Sequence, residues 1–291
     1  MSKKHLISSV DDDSGELLLW DSSISSIFRN ISTFTVAQTQ LNCPIPLNRL
    51  IGSYGNNLEI CSCNGILCFT FAGCSSFLWK PSLRRYNILP PSSPSSYSIG
   101  YDNFNDVYKV VAVSFFMDKK KEVNVHTLGT NYLKRIQDFP YSLSIPGPGV
   151  FVSGTINWSI YDVSDAIVSL LEKESYKKIS LLHLKKDYWT WTLGVFRDCL
   201  CIFARSNMFL DIWIMKEYGN IVLDHIVQRS CSYHGSVCPY LKAVYISKND
   251  QVLVQFPNCS WLFMIPEKLF SRFLRFNTPM VGRAQKSALR V

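Results

Sequence analysis

No run of ~18 consecutive apolar residues occurs in the 291-residue sequence, so no segment reads as a transmembrane helix. Residues Met1 to Val10 are polar and basic and lack the apolar core of a secretory leader. Charged residues are scarce at 18%, but hydrophobic ones make up 47%, a balance that excludes an intrinsically disordered chain. No CxxC pair exists among the ten cysteines, so the spacing Cys61-x-Cys63-x4-Cys68-x5-Cys74 lacks the paired ligands of a zinc site. Without a leader, the cysteines read as reduced thiols packed as small hydrophobes, and the chain as intracellular, in cytoplasm or nucleus.

Catalytic constellations are equally absent. The five histidines, His5, His126, His183, His225 and His234, show no HxxxH, HExxH or HxH spacing. There is no GxSxG elbow and no phosphate-binding GxxxxGK[ST]. Gly147-Pro148-Gly149 lacks the third glycine of a dinucleotide loop, because Val152 stands in its place. Asp11-Asp12-Asp13 with Glu16 has no alternating calcium ligands and reads as a solvated loop. No metal, cofactor or catalytic residue is expected, and an enzyme built on this chain would need convergent groups the sequence does not bring together.

The net charge of +8 is concentrated at one end. Lys268, Arg272, Arg275, Arg283, Lys286 and Arg290 face only Glu267 in residues 265–291, so the body is close to balanced. Arg84-Arg85-Tyr86 and Lys134-Arg135 interleave cations and aromatics too briefly for a nucleic-acid motif, and neither nucleic acid nor membrane is an expected partner.

What the chain does have is strands. Thirteen short apolar or alternating runs, among them 65–71, 108–116, 122–128, 155–161, 199–204 and 251–256, are bounded by Gly, Pro, Asn, Asp and Ser. Residues 118–121 read as a charged hairpin tip. Units beginning near Ser62, Ile99, Phe151, Trp191 and Leu241 recur at intervals that suit four-stranded propeller blades of ~40–50 residues. Two packed sheets would satisfy the same strand count. One segment, 266–276, has helical periodicity, with Pro266 in the first turn and Leu269, Phe270, Phe273 and Leu274 on one side. The seven tryptophans are expected in the core or between blades, with some at a rim free to anchor a protein partner.

Ordered motif blocks carry a family resemblance. Ser62-Cys63-Asn64-Gly65-Ile66-Leu67-Cys68, Leu78-Trp79-Lys80-Pro81-Ser82, Gly100-Tyr101-Asp102 and Asp106-Val107-Tyr108-Lys109-Val110-Val111 resemble plant F-box-associated domains of F-box/kelch-repeat-like proteins. Phe151-Val152-Ser153-Gly154-Thr155-Ile156-Asn157-Trp158 and Asp211-Ile212-Trp213 continue the series. The resemblance implies an all-β, kelch-like β-propeller that binds a protein substrate for an SCF-type ubiquitin ligase, with a Skp-type adaptor held by an N-terminal F-box. It casts Asn64, Gly65, Trp79, Pro81, Gly100, Tyr101, Asp102, Tyr108, Lys109, Gly154, Asn157, Trp158, Asp211 and Trp213 as fold determinants, with no catalytic role. Residues 1–60 are expected to supply strands following a missing F-box, 61–257 the propeller, and 258–291 a divergent basic tail with a short helical segment. On this reading the propeller is incomplete, the adaptor is not bound, and substrate contacts fall to the loops at 90–96, 138–149 and 162–165. A truncated family member without ligase function, or an enzyme on a propeller scaffold, is the alternative.

Overall fold

A computed structural model describes residues 5–11, 17–23, 35–36, 39–45, 58–71, 76–90, 96–115, 121–131, 133–140, 147–160, 166–170, 174–181, 190–196, 198–205, 209–215, 223–230, 242–246, 252–255, 261–264, 272–276 and 286–290. Its strands assemble into six sheets, and within each sheet neighbours along the chain are antiparallel. The second sheet holds β5 (Leu58–Cys63), β6 (Ile66–Phe71), β7 (Phe77–Lys80) and β8 (Arg85–Ile88). The third holds β9 (Ser96–Asp102), β10 (Val107–Phe115), β11 (Lys121–Thr127) and β12 (Leu133–Arg135). The fourth holds β13 (Val150–Val152), β14 (Thr155–Ile160), β15 (Ala166–Leu170) and β16 (Tyr176–Ser180). The fifth holds β17 (Thr190–Phe196), β18 (Cys199–Arg205), β19 (Phe209–Met215) and β20 (Leu223–Ser230).

The remaining two sheets join distant parts of the chain. In the first, β1 (His5–Asp11), β2 (Leu17–Ser23) and β4 (Thr39–Leu41) are completed by β25 (Lys286–Arg290), which pairs with β1 from His5↔Arg290 to Ser9↔Lys286. In the sixth, β21 (Lys242–Ile246), β22 (Val252–Gln255), β23 (Trp261–Met264) and β24 (Arg272–Phe276) are extended by β3 (Thr35–Val36), parallel to β24. The innermost strands β25, β5, β9, β13, β17 and β21 touch in that order, and β21 returns to β25. This is a six-bladed β-propeller.

Two expectations are corrected. The ring is not incomplete, because β25 supplies the inner strand of the first blade. Of the helix expected over 266–276, residues 272–276 form a strand instead, where Phe273 pairs with Leu262 and Leu274 with Trp261; residues 266–271 lie outside the described residues. An isolated helix of three turns is marginal in water, whereas β23 offers a ready ladder to a segment containing two phenylalanines, which favour strands.

The hydrophobic cores lie between blades. Leu67 and Phe69 pack towards the first blade with Leu19, while Ile66 and Cys68 on the same strand pack towards the third with Tyr97, Ile99 and Val110. In β10, Val110 and Ala112 face the second blade, and Val111 and Val113 face Ile156, Trp158 and Ile160 of the fourth. A two-residue side-chain period with both faces buried explains why these strands read as continuous apolar runs.

Lys121 departs from its expected place in a charged hairpin tip. It is the first residue of β11, only 3% exposed, with its Nζ 5.6 Å from the centre of the Phe139 ring. Burial pushes its pKa down to about 8. The folded state therefore holds this proton less tightly than the unfolded chain, whose lysine pKa is ~10.4, so stability rises with pH between those values, by on the order of 2–3 kcal/mol. Lys121→Met should be more stable than the parent at neutral pH and lose that rise. Urea midpoints measured across pH 7 to ~10 check it; identical pH profiles for the two proteins would refute the assignment.

Candidate functional site

From the second blade to the fourth, the first and second strands are joined at one end of the propeller, and in the second and fourth the turns are tight. Asn64-Gly65 links the paired residues Cys63 and Ile66, with φ of 46° and 77°. Ser153-Gly154 links Val152 and Thr155 with φ of 49° and 77°. Positive φ at both central residues is the type I′ geometry that matches strand twist, and it selects Asn and Gly.

The third blade differs. Its turn spans 103–106 between Asp102 and Val107, and Asp102 organises it. One carboxylate oxygen accepts the N–H groups of Phe104 (3.0 Å) and Asn105 (3.1 Å); the other accepts Asn105 Nδ2 and Lys109 Nζ, both at 2.8 Å. Lys109 and then Asn105 hold this buried carboxyl well below the usual carboxylate range. Register explains the pair, since Asp102 lies opposite Val107 and hence diagonal to Lys109 on the same face. Tyr101 lies opposite Tyr108, their rings 4.9 Å apart, and its hydroxyl donates to Asp106.

Side chains also tie the turns of successive blades together. Asn64 of the second blade hydrogen-bonds Tyr108 of the third. Lys134 of the third reaches Glu174 of the fourth at 2.7 Å, and Ser153 of the fourth donates to the Asp198 carbonyl of the fifth at 3.1 Å. On this braced rim Phe104 stands 88% exposed. Beside its turn, a cleft of about 410 Å³ including its open mouth separates the third and fourth blades, bordered by Tyr101, Asp102, Lys109, Phe151 and Glu174. Gly100 lets the blades approach, since a Cβ there would come within 2.9 Å of the Phe151 ring. The site offers a projecting aromatic, an apolar cleft and paired charges. Among the described residues no cluster of His, Cys, Asp and Glu is arranged to hold a metal.

The sequence profile of the F-box associated beta propeller domain matches residues 22–258. The chain belongs to that family. An F-box/kelch-repeat protein of Arabidopsis thaliana is 26% identical over 215 residues, 67% of this chain and 57% of the relative. The F-box protein CPR1 of the same plant is 25% identical over 204 residues, 54% of this chain and 48% of the relative. The chain thus spans about half the length of these relatives. TolB from Acinetobacter baumannii, a solved structure, superimposes with a TM-score of 0.57 at 9% identity, covering 98% of this chain and 66% of that one, a likeness of fold.

Within this F-box associated propeller, the motif residues fall into distinct places. Asn64, Gly65 and Gly154 form inner turns; Gly100, Tyr101, Asp102, Tyr108 and Lys109 build the third-blade site. Trp79 and Trp158 are buried between blades, and Trp213 packs half-buried on the core between the fourth and fifth. Pro81 opens a 3-10 turn, Pro81–Leu83. Asn157 is fully buried. Asp211 pairs through its backbone with Ala204 and Gln228; its side chain lies outside the described residues. Of the loops expected to touch substrate, 91–95, 141–146 and 162–165 lie outside the described residues, and the strand ends flanking them are at the face opposite Phe104. Phe104 itself escaped sequence reasoning, although an aromatic flanked by Asn103 and Asn105 in a turn was its signal.

Proposed function

We propose that this propeller is a non-catalytic protein-binding module that selects a protein substrate for an SCF-type ubiquitin ligase in the cytoplasm or nucleus. Membership of the F-box associated family supports the reading, as do relatives that are themselves called F-box proteins. The observation that carries the location of binding is Phe104, 88% exposed on a turn immobilised by Asp102. Large aromatics dominate interface hot spots, and a turn already rigid loses little entropy on binding. The described residues contain no helix long and apolar enough to cross a membrane.

The experiment is capture of plant proteins on the immobilised chain, followed by purification of each captured protein and measurement of its turnover in cells with and without the chain fused to an adaptor-binding F-box. A true substrate is ubiquitylated and destabilised in a manner that depends on the fused chain. Phe104→Ala should weaken its binding about tenfold or more without shifting the thermal midpoint. The propeller by itself should retain no Skp-type adaptor. A stoichiometric adaptor complex, or captured proteins whose turnover ignores the chain, would overturn the reading.

A further inference from the structure

The outer edge of the second blade carries a surface that substrate capture at Phe104 does not use. Leu83, Tyr86 and Ile88 are 57%, 50% and 58% exposed, and the only other exposed large hydrophobic side chain among the described residues is Phe104, on another blade. Tyr86 and Ile88 lie two apart on β8 and so share one face. No described strand pairs with the outer side of β8.

Its backbone is oriented for pairing. The Leu89 N–H bonds the Ser76 carbonyl at 2.9 Å, which makes that opposed couple a hydrogen-bonded one. Alternation along an antiparallel ladder then turns Arg85 and Asn87 towards β7, and directs the N–H and C=O groups of Tyr86 and Ile88 outward. The same edge is strongly basic. Lys80 and Arg85 are directly opposed in register, a like-charge pairing that disfavours the sheet, and Arg84 adjoins them. Residues 80–90 include no acidic side chain, and none of the three cations has an ion-pair partner among the described residues.

We propose that β8 docks an extended, acidic peptide segment as an added strand. The peptide's backbone completes the ladder at Tyr86 and Ile88. Its apolar side chains cover Leu83, Tyr86 and Ile88, and its carboxylates neutralise Lys80, Arg84 and Arg85. Cations on a strand edge keep other strands away; an acidic strand is the one kind they admit. Strand addition takes affinity from main-chain bonds and specificity from alternate side chains, and both elements are present here. A nucleic acid would meet the cations but leave the outward N–H groups and Ile88 without complementary contacts.

The test uses the full chain and a fluorescent peptide alternating Glu or Asp with Val or Ile, read by fluorescence anisotropy at low and moderate salt. Saturable, salt-sensitive binding is expected, weakened about tenfold or more by Arg84→Glu with Arg85→Glu, and separately by Ile88→Ser. The same peptide N-methylated at alternate residues, assayed on the unaltered protein, should not bind. Absence of binding, undiminished binding of the N-methylated peptide, or tighter binding of an oligothymidylate to the same cations would overturn the proposal. Phe104→Ala should leave the peptide affinity unchanged, so failure here and failure of the substrate reading are separable.

Discussion

Trp158→Ala should destabilise the propeller by ~3–5 kcal/mol, the upper range for deleting a large buried aromatic. The side chain is 1% exposed and meets the Phe139 ring edge-on, centroids 5.6 Å apart. Its indole lies against bare backbone at Gly149, where even a Cβ would come within 2.7 Å of the ring. Glycine has no side chain with which to collapse into the vacated space, and Gly149 is anchored by its N–H to Ser98 Oγ at 2.7 Å. The cavity should therefore persist along the junction of the third and fourth blades. Urea unfolding followed by circular dichroism checks this: the midpoint should fall with the denaturant slope unchanged. Trp158→Phe should recover about half of the loss, and a loss below ~1 kcal/mol for Trp158→Ala would show that the junction repacks.

The second large effect concerns the neighbouring side chain. Asn157 is fully buried, and its amide nitrogen donates to the Val150 carbonyl (3.1 Å), the Thr155 carbonyl (3.4 Å) and Thr155 Oγ1 (3.1 Å), while its oxygen accepts from Ser169 Oγ at 2.7 Å. One amide thus stitches three strands of the fourth blade. Asn157→Asp preserves shape but replaces the donor with an acceptor facing two carbonyl oxygens, and it buries a charge without a cation. A cost of ~3–5 kcal/mol is expected near neutral pH, shrinking as pH falls from ~7 towards the ordinary Asp pKa of ~4 and the new carboxyl takes up a proton. Asn157→Ala, which only empties the site and leaves Ser169 without its acceptor, should cost about 1–3 kcal/mol. Thermal midpoints of the two variants across pH separate the contributions; a flat pH profile for Asn157→Asp would disprove the charge argument.

The apolar runs at 65–71 and 108–116 were legible because both faces of those strands are buried, and the Asn64-Gly65 turn because its residues suit positive φ. The pairing of Asp102 with Lys109 was not, since it depends on a four-residue turn that sets which residues oppose one another. The closing strands of the first and sixth blades, β25 and β3, escaped for a different reason. Each pairs with the opposite end of the chain, and no local pattern reports a partner that far away. The same blindness produced the helix over 266–276: periodicity within one segment carries no information about the strand beside it. The motif Gly100-Tyr101-Asp102 falls beside the 103–106 turn, but exposure of Phe104 is a property of the assembled surface.

The pairing of β25 with β1, together with that of β3 with β24, bears on how the protein is made. A ribosome releases β1 and β2 early, yet β25, the inner partner of β1, follows only after the second to sixth blades. Until Arg290 emerges, β1 presents an unpaired edge, and β3, built early, waits for the sixth blade. The nascent chain therefore passes nearly its whole synthesis as an open arc, the form in which strand edges invite aggregation and chaperones have most to hold.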